Sequence, residues 1–230
     1  MVRWTVVDGR NVDSRPIIVS PLEFERRALR RAGLGQRCRL LCCGPGSRGI
    51  QHWAARVTLV APATQPVILA GLAGSLRKTY MTRSAHLIST VIGDDGRRWA
   101  PTFGSPLQMT NRSDSIIASS ATTLTTPMAK RAFADRSGAD LVDRESAAFA
   151  DAATQRGWRW AIVRGVSDGL QETLPPQIDD WIDQTGRAKA SAVLGGILRH
   201  PGMVRDIGRL RADGLAAMQA VAKLICTMLS

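Results

Sequence analysis

The chain has 230 residues, of which 44% are hydrophobic and 22% charged, a size and composition that one globular domain with one core accounts for. That apolar fraction excludes a disordered chain, and no run of about 18 apolar residues is present to span a bilayer. Net charge is +12, from 31 basic against 19 acidic residues, and all but Lys78, Lys130, Lys189 and Lys223 of the basic residues are arginine.

In chain order, the Met1 to Arg10 stretch lacks the continuous apolar core of a secretory signal, so a cytoplasmic protein is expected. Pro16 to Ser20 reads as a strand and Leu22 to Ala32 as an arginine-rich helix. Arg39 to Cys43 is a second strand, followed by a glycine turn and a helix from Ile50 to Val60. Val67 to Ala70 is a short buried strand that runs into Gly71-Leu72-Ala73-Gly74-Ser75. His86 to Ile92, the turn Gly93 to Gly96 and Arg97 to Ala100 predict a hairpin. Ser115 to Ala118 is a further strand.

Thr126 and Pro127 predict a capped helix start, with the helix running to Ser137 and ended by Gly138. A strand at Asp140 to Val142 precedes a helix from Glu145 to Arg156. Arg159 to Val163 is a strand, and Arg164 to Gly169 opens a polar loop that contains Pro175-Pro176. Two helices divided near His200-Pro201-Gly202 close the chain. Short apolar strands alternating with helices predict one α/β domain over residues 1–230, a mixed, twisted central sheet flanked by helices, with the C-terminal helices of 188–230 packed on it.

The basic excess has two readings. One is a solvated surface in an arginine-rich chain, and the other is attraction to an anionic partner. Nucleic acid is not expected, because no helix-turn-helix, zinc module or RNA-binding aromatic motif accompanies the charge. Cys38, Cys42, Cys43 and Cys226 lack zinc-ligand spacing and read as buried, reduced thiols, and three scattered histidines offer no metal site, so no metal or cofactor is expected. The last helix, Met203 to Leu229, is amphipathic, with arginines between its apolar positions. It reads as a helix packed on the sheet or a partner subunit, or else as a peripheral contact with lipid at the inner membrane surface.

Gly44-Pro45-Gly46-Ser47-Arg48-Gly49 matches GxGxxG between a strand and a helix. A dinucleotide site also needs a carboxylate about 20 residues on, and no acid occurs from Arg26 to Gly93. The glycines therefore read as a tight strand-to-helix turn. Carboxylates instead follow predicted strands: Glu23 and Glu25, Asp143 and Glu145, and Asp168. Ligands of open α/β sheets bind at the carboxyl ends of strands, so these residues could converge on one cleft. The competing reading is a set of first-turn acids facing helix dipoles, and this is the reading for Glu23 and Asp143.

Val142-Asp143-Arg144-Glu145-Ser146-Ala147, followed by a helix, a glycine turn and Val163-Arg164-Gly165-Val166-Ser167-Asp168, resembles the paired signature of the nucleoside phosphorylase superfamily, and within it the methylthioadenosine/S-adenosylhomocysteine nucleosidases. Ile17 to Glu25, Cys43 to Gly46 and Ala70 to Leu76 are similar, collinearly, to that family's first strand and acidic turn, second glycine turn and glycine loop. The resemblance implies cleavage of the N-glycosidic bond of a purine nucleoside in a homo-oligomer. Asp168 would be the general acid to the purine N7, kept protonated by a water-poor pocket. Ser167 would orient it. Glu145 would bind the ribose hydroxyls, and Glu25 would activate water. Arg164 would hold the nucleophile or pair with a carboxylate, and Gly71, Leu72 and Arg144 would border the substrate.

The chain departs from the family at several positions. Arg144 replaces a methionine of the sugar pocket, Leu72 a serine near the nucleophile, Thr123 a purine-stacking phenylalanine, and Leu69 the phosphate-binding arginine of the phosphorolytic branch. Two alternatives therefore stand beside hydrolysis: attack by phosphate at the same site, with Arg26, Arg27 and Arg48 as candidate ligands, and a non-catalytic nucleoside-binding or scaffold protein. Ser167-Asp168-Gly169, Leu174-Pro175-Pro176, Asp180 to Asp183, Gly186-Arg187 and Leu198 to Gly202 resemble, more finely, the hopanoid-associated phosphorylases. That resemblance implies adenosylhopane as substrate, in hopanoid biosynthesis.

Overall fold

The structure, a computed structural model, describes residues 14–57, 65–104, 114–189 and 203–230. Eight strands make one mixed sheet: β1 (Ile17–Ser20), β2 (Arg39–Cys42), β3 (Pro66–Ser75), β4 (Ala85–Ile92), β5 (Arg98–Trp99), β6 (Ser115–Ser119), β7 (Leu141–Asp143) and β8 (Arg159–Asp168). The pairing order is β2-β1-β3-β7-β6-β4-β5, and β8 pairs with both β3 and β4. Strands β3, β7, β6, β4 and β8 therefore close a ring of pairings, from which β1 and β2 extend on one side and β5 on the other.

Strand alternation sorts the apolar side chains into two layers. Ile17, Val19, Val67, Leu69, Trp160 and Ile162 face one core with Ile50 and Trp53 of α3 (Gly46–Arg56) and Phe149 and Ala150 of α5 (Ser146–Gln155). Ile18, Ile68, Ala70, Ala161 and Val163 face the other, with Leu29 of α1 (Glu23–Arg31), Leu34 of α2 (Leu34–Arg37) and Met218, Val221 and Ile225 of α6 (Met203–Met228). The registers Val67↔Trp160 and Ile68↔Ala161 keep each layer continuous across β3 and β8. Phe149 meets Trp160 edge to face at 6.1 Å, a geometry worth about 0.5–1.5 kcal/mol beyond burial. The apolar stripe of α6 is thus used against the sheet, and among the described residues no helix is long and apolar enough to cross a membrane.

Helix α4 (Pro127–Ser137) starts and stops where expected: Thr126 Oγ1 accepts from the N–H of Ala129 at 3.2 Å, and Gly138 ends it at φ 69°. Other boundaries differ from the sequence reading. Helix α3 begins four residues before the expected Ile50 and ends at Arg56, with 58–60 outside the described residues. The segment Arg164 to Gly169 is not a loop, because β8 runs on to Asp168. Its polar residues stay in the ladder since β3 and β4 flank it and Arg164 is neutralised inside the fold. Of the four free cysteines Cys38 is buried, whereas Cys42 and Cys43, at the end of edge strand β2, and Cys226 are half-buried. The Met1 to Arg10 stretch, the helix expected before Leu198 and the break at His200-Pro201-Gly202 lie outside the described residues.

Candidate active site

A cavity of about 250 Å³ opens where β1, β7 and β8 end, alongside β3. Glu25, Leu72, Arg144, Glu145, Ser167 and Asp168 all line it, although up to 143 positions separate them in sequence, from Glu25 to Asp168. Arg164 and Gly71 are not among the lining residues. They stand behind Glu25.

Glu25 sits in the first turn of α1, buried. Its Oε2 accepts from the N–H of Leu22 and its Oε1 from the N–H of Leu72, each at 2.8 Å. Burial pushes its pKa up to about 7, opposed by the positive charge of Arg164 and by the two N–H groups. A Cβ at position 71 would stand 2.5 Å from Arg164 Nη1 and 2.8 Å from Glu25 Oε1. Glycine there lets the guanidinium and the carboxylate approach the same stretch of β3.

Arg164 is 0% exposed. Its Nη2 donates to Asp143 Oδ2 and, at 3.5 Å, to Glu145 Oε2, so of its two expected roles the pairing with carboxylates is the one observed. Burial opposes its charge, but Asp143, Glu145 and Glu25 outweigh that and hold its pKa above the ordinary arginine value. The buried Nε and Nη1 have no hydrogen-bond partner among the described residues. Asp143 also accepts from Ser119 Oγ at 3.0 Å and from the N–H and Oγ of Ser146, so it caps α5 as read from sequence while serving Arg164. Glu23 stands in the first turn of α1, as read, and also pairs with Arg26 and Arg27.

Glu145 lies just before α5, and its Oε1 accepts from the N–H of Gly46 at 2.7 Å. The strand-to-helix turn, with Gly44 and Gly46 at positive φ, thus does more than reverse the chain. It aims a backbone donor at a carboxylate 99 residues on. Burial and the neighbouring charge of Asp143 raise the Glu145 pKa, against Arg164, Gly46 and Arg144.

Asp168 ends β8. Ala73 pairs with Val166 and Gly74 with Asp168, so Ser167 is an extra residue in the ladder. A Cβ on Gly74 would stand 3.0 Å from Asp168 Oδ2, so the carboxylate packs directly on the β3 backbone. Ser167 Oγ lies 2.7 Å from Asp168 Oδ1 and 3.3 Å from Ala73 O, two acceptors for its one hydrogen. Asp168 also has a partner that the sequence reading did not name: Lys130 Nζ lies 2.5 Å from its Oδ2, and Lys130 is 1% exposed. The carboxyl group is buried, but as half of an ion pair.

The chain after β8 folds back over the cavity. The N–H of Leu174 donates to Thr125 O at 2.8 Å, and Gly186 O accepts from the N–H of Glu23 at 2.9 Å, so residues 174–186 form a strap from the start of α4 to the start of α1. Asp179, in the short 3₁₀ turn Ile178–Trp181, accepts from Thr123 Oγ1 at 2.5 Å and pairs with Arg144 Nη1 at 2.9 Å. Leu174, Ile178 and Ile182 give this part of the cavity an apolar roof.

Sequence reasoning missed Lys130 and Asp179. Lys130 left one available signal, being one of four lysines among 31 basic residues. Asp179 left none, because its partners Thr123 and Arg144 belong to two other loops.

A family model described as the Phosphorylase superfamily matches residues 113–199. Among solved structures the chain is similar to futalosine hydrolase of Helicobacter pylori, with a TM-score of 0.66 and 14% identity over 94% of this chain and 97% of that one. It is similar to the 5′-methylthioadenosine/S-adenosylhomocysteine nucleosidase of the same organism, at 0.65 and 14% over 94% and 98%. It is also similar to the 5′-methylthioadenosine nucleosidase of Arabidopsis thaliana, at 0.62 and 17% over 94% and 97%. No curated protein matches the sequence. At these identities the likeness is one of fold: a single α/β domain of the nucleoside phosphorylase type.

Proposed function

We propose that the protein cleaves the N-glycosidic bond of a purine nucleoside, releasing the base by attack of water on the sugar. The observation that carries this reading is the meeting of Glu25, Glu145 and Asp168 in one cavity. Breaking the bond leaves positive charge on the sugar and negative charge on the base, so the chemistry needs an acid beside the base, an anion beside the sugar and a base beside the nucleophile. Asp168 with Ser167 serves the purine, Glu145 the ribose hydroxyls and the positive sugar, and Glu25 the water. A pKa of about 7 suits Glu25 to taking a proton near neutrality. The guanidinium of Arg164, behind Glu25 across Gly71, acts on the carboxylate through its charge and does not reach the cavity.

Water is favoured over phosphate by three observations. Leu69 is wholly buried in the core, Arg26 and Arg27 are held by Glu23, and the carboxylate of Glu25 would repel a phosphate dianion. Leu22, Leu72, Ile182 and Leu210 give the cavity an apolar wall, which supports a sugar with an apolar substituent. Adenosylhopane is the candidate that the sequence resemblance offers. At about 250 Å³ the cavity is small for a ligand site, so any hydrocarbon tail would extend beyond it.

The test is incubation with adenosine and 5′-substituted adenosines, with and without phosphate, followed by assay of free adenine. Release without phosphate, giving a free reducing sugar, is expected. A strict phosphate requirement with formation of a sugar 1-phosphate would replace hydrolysis by phosphorolysis, and no release from any nucleoside would favour a binding or scaffold role.

A further inference from the structure

We infer that the proton given to the departing base comes from Lys130 by way of Asp168, an assignment that rests on the nucleosidase reading above. Lys130 projects from the first turns of α4 into the fold, and its Nζ has three acceptors: Asp168 Oδ2 at 2.5 Å, Gly169 O at 2.7 Å and Glu172 O at 3.1 Å. An ammonium group has three N–H bonds, so each is satisfied, as a buried charge requires. Asp168 Oδ2 accepts from Lys130, and its Oδ1 lies 2.7 Å from Ser167 Oγ. The carboxylate is thus half of a buried ion pair whose other half holds the adjacent protons, and N7 must acquire one for the purine to leave.

The other groups at the site do not supply it. Arg144 lines the cavity and Arg164 lies behind it, but guanidinium groups do not release protons in proteins. Glu145 accepts from Gly46 and Arg164 on its two oxygens, and Glu25 has to receive a proton from water. Among the described lining residues, Lys130 is the remaining cation that can give one up.

The step balances. As the glycosidic bond breaks, its electron pair passes to the purine and N7 becomes basic. The Nζ–H bond of Lys130 breaks while an O–H bond forms at Asp168 Oδ2; that O–H turns toward the base and breaks as N7–H forms. Lys130 is left neutral, Asp168 ionised and the base neutral, while the proton of the attacking water goes to Glu25. Lys130 recovers its proton from solvent after the base departs. Because it acts through Asp168, Lys130 is a positioning residue that also carries the proton.

The test compares wild type, Lys130→Met and Lys130→Arg on adenosine and on para-nitrophenyl riboside, whose nitrophenolate leaves without a proton. Both variants should lose about 10² to 10⁴ in kcat for adenine release, the range of general acid catalysis, with little change in KM, while their cleavage of the aryl riboside stays near wild type. Arginine keeps the charge but holds its protons, so adenine release by Lys130→Arg within about tenfold of wild type would reduce Lys130 to a counter-charge and overturn the inference. A parallel fall on both substrates would overturn it too, in favour of a structural role. If Lys130→Met does not fold, as melting would show, the arginine variant decides alone. Wild-type protein that releases base from no nucleoside sinks the function proposed above and this inference with it, whereas release that survives in Lys130→Met sinks only the inference.

Discussion

The backbone N–H of Leu72 donates to Glu25 Oε1 at 2.8 Å, so position 72 contributes to the site through its main chain. The side chain there is apolar, yet the carboxylate is held from both sides, by Leu72 and by Leu22. What the leucine side chain adds is an apolar wall.

Glu25 makes activity and stability depend on pH in opposite directions. As the water base it must be ionised, so kcat/KM should rise through a pH of about 7 and level off above it. Stability runs the other way, because burial raises the folded-state pKa from 4.5 to about 7 and the folded protein therefore binds the extra proton between those values. The contribution is complete below about 4.5 and is lost as pH rises through about 7, an effect on the order of 3 kcal/mol. Glu25→Gln should remove both dependences, gaining on wild type in Tm from pH 5 to pH 8 while losing base release. A variant that keeps the wild-type pH limb would show that another group is the base.

Asp168→Asn should abolish base release, since an amide cannot pass on a proton. It should also lower the melting temperature, because Lys130 is left buried beside a neutral group; a charged hydrogen bond of this kind is worth about 1.5–3 kcal/mol. Assay of free adenine and thermal unfolding check the two effects. More than a tenth of wild-type turnover would remove Asp168 from the proton path.

Glu145→Gln should lower kcat more than it raises KM, because a carboxylate facing a developing cation matters most in the transition state. Michaelis parameters for adenosine measure the split. A change confined to KM would limit Glu145 to holding the hydroxyls.

Arg144→Met should leave stability nearly unchanged, since the Arg144–Asp179 pair is a third to a half exposed and such pairs contribute about 0–1 kcal/mol. It should loosen the strap, which limited proteolysis between Leu174 and Gly186 would report as faster cutting. Unchanged cutting would mean that the apolar contacts of Leu174 and Ile182 hold the strap without it.

Much of the fold was legible from local pattern. The continuous apolar run Ile17 to Val19 and the Thr126-Pro127 start of α4 signal their elements through composition and capping, which act within a few residues. The extent of β8 was not legible, because Arg164 and Asp168 are tolerable in a buried strand only with Asp143, Glu145 and Lys130 beside them, and those partners arrive from β7, the turn after it and α4. The carboxylates of the site stand after predicted strands, where helix capping explains an acid as well, and it is the resemblance of their motifs that singles out Glu25, Glu145 and Asp168. Lys130 escaped notice because a lysine on a helix reads as solvated surface until the strand end opposite it is known.

The extra residue in the β3–β8 ladder settles which residue of Ser167 and Asp168 stands opposite Gly74. In an unbroken register Ser167 would stand opposite Gly74 and Asp168 opposite Ser75, which sends the two side chains to opposite faces of the sheet. Ser167→Ala removes one hydroxyl and keeps the count. Deleting Ser167 would leave Asp168 opposite Gly74 in a regular ladder, so that change removes the hydroxyl and the extra backbone unit, whereas a slip that sets Asp168 opposite Ser75 would turn the carboxylate to the other face of the sheet, away from Lys130.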